Sequence, residues 1–217
     1  MRETRKNLLN PRFLVLVLLS LTLLTGVAAW SRWQRQQEEP PGETPVPDYV
    51  EEAFLTENPF SRPGTQLEEV HGVVVHYVGN PNTTAMANRN YFESLSAGTD
   101  GVYASSHFIV GLEGEVVQCI PLTEISYASN SRNSDTVSIE VCHPDETGQF
   151  SAVTYDRVVE LTAWLCEIFS LDPETEVIRH YDVTGKLCPL YYVEHPEAWE
   201  QFLQDVQAAV DADAGKK

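Results

Sequence analysis

Apolar and polar positions alternate in two rhythms along this chain. Short apolar runs bounded by turn-forming residues predict strands at Val70 to Val78, His107 to Val110, Glu115 to Ile120, Thr136 to Cys142 and Glu176 to Arg179. The second and third of these flank Leu112-Glu113-Gly114, a hairpin signal. A 3.6-residue rhythm places Val158, Leu161, Leu165 and Ile168 on one face of a helix over Tyr155 to Phe169, with Thr154 as its N-cap. The same rhythm runs through Trp199, Phe202, Leu203, Val206 and Val210, predicting a closing amphipathic helix over Glu197 to Val210. Ala85 to Leu95 has helical composition. Interleaved strands and helices without an internal repeat predict an α/β domain, a single central mixed sheet flanked by helices, over residues 66–212. A short tail, 213–217, follows.

One further apolar stretch has no polar face. Residues 13–30, from Phe13 to Trp30, are Leu-rich and long enough to cross a bilayer, which takes roughly 17–25 residues. Arg2, Arg5, Lys6 and Arg12 precede it against a single Glu3, so residues 1–12 are expected in the cytoplasm and everything after Trp30 outside. The expected element is an N-terminal transmembrane signal anchor. The competing reading is a signal peptide cut after Ala29, since Val27-Ala28-Ala29 offers the small residues a signal peptidase requires; the product would then be secreted. Residues 31–65 read as a Pro/Glu-rich linker, with Pro40-Pro41, Pro45 and Pro47, followed by an edge segment without regular structure.

The formal net charge of −18 excludes nucleic acid as a partner, because an acidic surface repels a phosphate backbone. Export makes disulfides possible among Cys119, Cys142 and Cys166, although no CxxC pair is present. Cys166 falls within a helical pattern, where a cysteine is also an ordinary small core residue.

Candidate chemistry concentrates in His180-Tyr181-Asp182-Val183-Thr184-Gly185-Lys186-Leu187-Cys188-Pro189. Imidazole nitrogen and thiolate sulfur are donors zinc prefers, and His76, at the end of Val73-Val74-Val75, is the candidate third donor beside His180 and Cys188. Three protein ligands leave one position open, the pattern of a catalytic zinc. Against this, a histidine ending a buried strand is more often a hydrogen-bonded structural residue. Glu140, in Val137-Ser138-Ile139-Glu140-Val141, either faces water while Ile139 faces the core, or is a partly buried general base. Lys186 is either an ordinary loop lysine or an oxyanion stabiliser.

In their order along the chain these pieces resemble the zinc-dependent N-acetylmuramoyl-L-alanine amidases of type 2, which share a fold with peptidoglycan recognition proteins. The resemblance covers roughly residues 64–192. Val73-Val74-Val75-His76-Tyr77 looks like the family's first ligand strand. Ser105-Ser106-His107-Phe108-Ile109-Val110 with Gly114-Glu115-Val116-Val117-Gln118 looks like its central hairpin. Thr136 to Val141 is similar to the strand bearing a catalytic glutamate, and His180 to Pro189 to the closing motif. Each piece alone is weak; four in the right order are specific.

The resemblance implies one zinc ion held by His76, His180 and Cys188. It implies Glu140 as the base that deprotonates water, and Lys186 as the stabiliser of the tetrahedral intermediate. The bond cut would be the amide between N-acetylmuramic acid and L-alanine in bacterial cell-wall peptidoglycan. The apolar run 13–30 would tether the domain to the outer side of the cell membrane, and a monomer is expected. Some members carry a tyrosine just before the hairpin histidine and lack the glutamate; Ser106 and Glu140 match the other branch. His107 matches a family position but takes no metal role. Two departures stand out: Ser138 replaces a usual glycine, and Tyr127-Ala128 replaces a tryptophan–histidine pair near the substrate. The alternatives are a peptidoglycan-binding module without catalysis, a zinc amidase on another exported amide, and a structural zinc with Asp182 or His195 as fourth ligand. The intact set of ligands with Glu140 favours the enzyme.

Overall fold

The computed structural model describes residues 46–99 and 101–215. The expected cytoplasmic segment 1–12, the membrane segment 13–30, most of the linker and the last two residues of the tail lie outside these. Among the described residues no helix is long and apolar enough to cross a membrane.

Six strands form one mixed sheet. They are β1 (Val50–Glu52), β2 (Val73–Tyr77), β3 (Phe108–Val110), β4 (Val116–Gln118), β5 (Val137–Val141) and β6 (Val177–Arg179). Their spatial order is β1-β4-β3-β5-β2-β6, with only β3 and β4 antiparallel. The helices are α1 (Ala85–Ser94), α2 (Ala152–Phe169), α3 (Pro173–Glu176), α4 (His180–Thr184), α5 (Leu190–Glu194) and α6 (Pro196–Ala214). The predicted central sheet with flanking helices is therefore the architecture found.

Successive strand residues point to opposite faces, and each face has its own core. Val73, Val75, Phe108, Val110, Val137, Ile139 and Val141 pack under α2, α5 and α6 with Leu161, Leu165, Trp199, Phe202 and Val206. Ile109 and Val117 face the other way, where α1 supplies Ala85 and Phe92 and the preceding segment supplies Leu55. Burial on both faces explains why β2 and β5 read as continuous apolar runs rather than alternating ones. The second face is covered by a ten-residue helix rather than by a long pair. The remaining space holds His76 and Glu140, whose Cα positions are paired across β2 and β5.

Several boundaries move from the sequence reading. Helix α2 starts earlier, because Ser151 rather than Thr154 is its N-cap, its hydroxyl accepting from the Thr154 N–H. Thr154 instead donates its own hydroxyl to the Gly111 carbonyl at 3.0 Å, tying the helix to the β3–β4 turn. Ordered structure also begins ahead of residue 66. Residues 50–52 pair in parallel with β4, and the Ala53 and Leu55 amides continue by donating to Gln118 and Cys119 carbonyls. Arg89 fixes the next turn by donating to the Ala53 and Phe54 carbonyls at 2.9 and 2.7 Å. A three-residue edge strand is too short to show a period, and these contacts come from residues distant in sequence. All four cysteines, Cys119, Cys142, Cys166 and Cys188, are buried free thiols, so the disulfide considered among the first three does not form.

Candidate active site

His76 arrives on the last turn of pleat in β2, and Glu140 sits beside it on β5. His180 follows β6 directly and opens α4. The nine residues from His180 to Cys188 close on themselves. The Tyr181 amide donates to the Cys188 carbonyl at 2.9 Å, and the Gly185 amide to the Tyr181 carbonyl at 2.7 Å. Gly185 takes φ 77° there, a left-handed conformation that glycine adopts without steric cost. Closure returns Cys188 to the histidines, and the bond from Cys188 to Pro189 is cis.

The result is a three-donor cluster. One ligand atom each from His76, His180 and Cys188 lies within 4.8 Å of the others, and all three residues are buried. His76 Nδ1 is 3.9 Å from Cys188 Sγ, and the two imidazole centroids are 4.6 Å apart. His180 Nδ1 is buried without a hydrogen-bond partner. Such an orphan in an interior is costly unless something else fills the role. An imidazole nitrogen with a bare lone pair, a second imidazole and a thiol constitute a set zinc accepts. The residues present therefore fit one zinc ion. Among the described residues no fourth ligand joins the cluster. Asp182, one candidate, is held by Arg179 through two oxygens at 2.8 and 3.0 Å. His195, the other, stacks on Tyr191 with centroids 4.2 Å apart. A closed four-ligand structural site is thus not what these side chains build.

Electrostatics matches this arrangement. Burial depresses His76 well below its ordinary pKa, with His180 and Lys186 adding to the effect, and burial with Lys186 depresses His180. Both rings are therefore neutral, the form that ligates metal. Burial pushes the Cys188 thiol up to about 12, with the nearby Glu140 carboxylate reinforcing it and the Tyr77 backbone N–H and Lys186 opposing. A bound cation reverses this balance, since a coordinating thiol loses its proton.

Glu140 Oε1 lies 4.0 Å from His76 Nδ1, and its side chain is 18% exposed. Its other oxygen has no hydrogen-bond partner. Burial raises the carboxyl to about 8 against the opposing pull of Lys186. Of the two sequence readings for Glu140, the water-facing one is excluded: it points into a partly closed cleft. That cleft encloses about 660 Å³, and Phe92, Tyr103 and Tyr127 line it together with the metal cluster and Lys186. Its size suits a ligand of several sugar or amino-acid units. Among the described residues Arg62, Arg89, Arg132, Arg157 and Arg179 are each paired with a carboxylate. Lys186 has no such ion pair and lines the cleft.

His107 is fully buried and away from the cluster. Its Nδ1 accepts from the Ser138 amide at 3.0 Å, and its Nε2 donates to the Glu124 carbonyl at 2.9 Å. Ser138, where a glycine was the usual residue, adds a hydroxyl 3.1 Å from His107 Nδ1 and 2.8 Å from the Ser126 hydroxyl. The departure thus builds a buried polar link between β3 and β5. Two site residues escaped the sequence reading. Ser129 Oγ lies 3.2 Å from His76 Nε2, and Asn130 Oδ1 lies 3.2 Å from His180 Nε2. Both sit in a polar stretch that reads only as a strand boundary; the left-handed conformation at Asn130, φ 52°, is the one property an asparagine in that stretch could have signalled.

Residues 66–190 match the family described as N-acetylmuramoyl-L-alanine amidase. Among characterised proteins, the chain is 29% identical over 185 residues to the N-acetylmuramoyl-L-alanine amidase BlyA of Bacillus subtilis (strain 168), covering 76% of this chain and 48% of the relative. It is 33% identical over 152 residues to a probable N-acetylmuramoyl-L-alanine amidase of Bacillus licheniformis, covering 64% of this chain and 42% of the relative. The chain thus spans about half the length of the curated relatives it matches. Among solved structures, a mutant endolysin from Bacillus subtilis superimposes with a TM-score of 0.61 at 23% identity, covering 72% of this chain and 97% of that one. Staphylococcus aureus hydrolase AmiA, solved with its ligand, gives a TM-score of 0.60 at 18% identity, covering 81% and 88%. At such identities the structures establish a common fold. With more than half of its length matched to the family, the chain belongs to the N-acetylmuramoyl-L-alanine amidases.

Proposed function

We propose that this chain hydrolyses the amide bond between N-acetylmuramic acid and L-alanine in peptidoglycan, with one zinc ion held by His76, His180 and Cys188. The observation that carries the reading is the convergence of those three buried donors, with the Glu140 carboxyl 4.0 Å from His76 Nδ1 and no fourth ligand among the described residues. Bound there, zinc supplies an acidified water and polarises the scissile carbonyl. Glu140 takes the proton of the attacking water and passes it to the departing amine; its desolvated carboxyl, raised to about 8 without a cation, is drawn down by one nearby. Lys186, which has no carboxylate ion pair among the described residues, offers its ammonium to the oxyanion of the tetrahedral adduct. The rings of Phe92, Tyr103 and Tyr127 line the cleft and offer the substrate aromatic surface.

The working location is the outer face of the cell membrane, with residues 13–30 as anchor and the proline-rich stretch after them as stalk. The apolar run and its basic flank support this placement. The expected working form is a monomer; among the described residues one chain supplies every candidate site residue.

The test is mass spectrometry of purified peptidoglycan after incubation with the protein, with and without a zinc chelator. Release of stem peptides beginning at L-alanine, abolished by chelator and restored by zinc, is the expected result. Sedimentation with the wall and no released peptide at any zinc level would instead identify a binding module. Cleavage at a different amide, equally chelator-sensitive, would move the substrate bond while keeping the zinc chemistry.

A further inference from the structure

Adjacent residues of one turn touch both histidines of the metal cluster. Ser129 Oγ lies 3.2 Å from His76 Nε2, and Asn130 Oδ1 lies 3.2 Å from His180 Nε2. An amide oxygen can only accept, so His180 carries its proton on Nε2 and presents a bare lone pair at Nδ1. That Nδ1 is the buried nitrogen without a partner. On His76, Nε2 lies toward Ser129, whose hydroxyl can donate or accept, and Nδ1 lies toward Cys188 Sγ. The two histidines come from different parts of the sheet, one ending β2 and the other following β6. The turn is their common support.

The turn is itself held in place. Asn133 Oδ1 accepts from both the Ala128 and Ser129 amides, at 3.1 and 2.6 Å. The Arg132 and Asn133 amides donate to the Ser129 and Asn130 carbonyls, forming the 3-10 turn Asn130–Arg132. Beyond it, Thr136 donates its hydroxyl to the Arg132 carbonyl at 2.6 Å, and Arg132 pairs with Asp135 at 2.9 Å. Asn130 occupies a left-handed conformation, φ 52°, which costs a residue with a Cβ about 1 kcal/mol or more and which glycine adopts freely. Asparagine is kept in a conformation that suits glycine better, with its amide oxygen on His180.

We propose that Ser129 and Asn130 are positioning residues for the metal: a two-residue clamp, held by Asn133, that fixes the orientation of His76 and His180, and the tautomer of His180, so that both Nδ1 atoms face Cys188. This rests on the zinc reading above and adds to it the source of the site's preorganisation. Removal of such an outer partner lowers metal affinity about 10- to 100-fold.

The conformation at Asn130 permits a clean test. Asn130→Gly keeps the backbone and removes the acceptor; Asn130→Asp keeps an acceptor, with added charge. Zinc dissociation constants are measured on the full-length protein and both variants by competition with a chromophoric chelator, alongside thermal melting of the zinc-stripped forms. The expected result is affinity weakened about 10- to 100-fold in Asn130→Gly and undiminished in Asn130→Asp, with stripped melting temperatures alike. Ser129→Ala is expected to weaken binding in the same range. Asn130→Gly binding zinc as tightly as the unaltered protein would overturn the clamp, as would Asn130→Asp weakening it equally. If the unaltered protein bound no zinc, the zinc reading itself would fall, an outcome distinct from either of these.

Discussion

His180 and His107 are both buried, both have a depressed pKa, and both carry their proton on Nε2, yet they do different things. In each, Nε2 donates to an oxygen: Asn130 Oδ1 for His180 and the Glu124 carbonyl for His107. The difference lies at Nδ1. For His107 it accepts from the Ser138 amide, so every polar atom of the ring is satisfied. For His180 it meets no donor, and it faces a region where His76 and Cys188 bring two more ligand atoms. Burial and a lowered pKa therefore do not identify a metal ligand; an unfilled nitrogen beside other unfilled donors does. In the zinc reading proposed above the ion would complete His180, as the chain itself completes His107.

The largest effect expected from breaking this distinction is at the cluster. Cys188→Ala removes one of the three donors gathered there. Zinc content by elemental analysis should fall from about one ion per chain to none, and peptidoglycan hydrolysis to background. Retention of stoichiometric zinc in this variant would mean that the ligands lie elsewhere.

Next in size is Glu140→Gln, which keeps the shape beside His76 and removes the base. Zinc content should stay near one, while turnover falls by about 10²–10⁴-fold. Parallel loss of zinc and turnover would make Glu140 a ligand; unchanged turnover would remove it from the proton-transfer step.

The opposite behaviour is expected at His107. His107→Ala leaves a cavity and strands the Ser138 amide and Glu124 carbonyl, which should cost roughly 2–4 kcal/mol of stability in urea denaturation at pH 7. Zinc affinity of the folded protein should not change. The pH dependence separates the roles further. His107 sits near pKa 4 in the folded protein because burial disfavours its charge, against about 6.5 unfolded. The unfolded chain takes up a proton below pH 6.5 that the folded one refuses until about pH 4. His107's stabilisation is thus complete above pH 6.5 and lost across that window, by roughly 3 kcal/mol. Between pH 6.5 and 4 the total loss of stability should be smaller in His107→Ala by that amount. An identical loss would mean that His107 is not held neutral.

The sequence made one half of this contrast readable. His76 and Glu140 each sit in an apolar run that reads as a strand, and the resemblance to the amidases associates the two; that these strands are neighbours in this register is a property of the sheet. His180 and Cys188 stand eight positions apart across a loop, a spacing that marks them as candidate ligands, and the loop's own hydrogen bonds close it. What finishes the histidines was not readable. Ser129, Asn130, the Glu124 carbonyl and the Ser138 amide reach their rings from 53, 50, 17 and 31 residues away. No local period encodes such contacts. The short edge strand Val50–Glu52 was missed for a related reason, since its structure is dictated by its partner β4 rather than by its own composition.

His143 gives the smallest effect and the finest test of the distinction. It too is buried, and it too leaves a ring nitrogen, Nε2, without a partner. It is not among the histidines that gather with other ligand atoms; its ring instead packs on Tyr77, with centroids 5.0 Å apart. By the rule drawn from His180 and His107, an orphan nitrogen without companions is an unfilled polar atom and nothing more. His143→Phe keeps a flat ring against Tyr77 and removes that orphan. It also removes the bond from Nδ1 to the Asp145 carbonyl at 2.7 Å, but this oxygen keeps a second donor, the Gly148 amide at 3.2 Å. Loss of a hydrogen bond and relief of an unsatisfied nitrogen offset each other, so stability should change by less than about 1 kcal/mol in either direction. Zinc affinity and turnover should be unaltered, although His143 lies one ring away from the residue that follows His76. A loss of zinc in His143→Phe would show that an isolated orphan nitrogen can matter to the metal, and the accounting by companions would have to be abandoned.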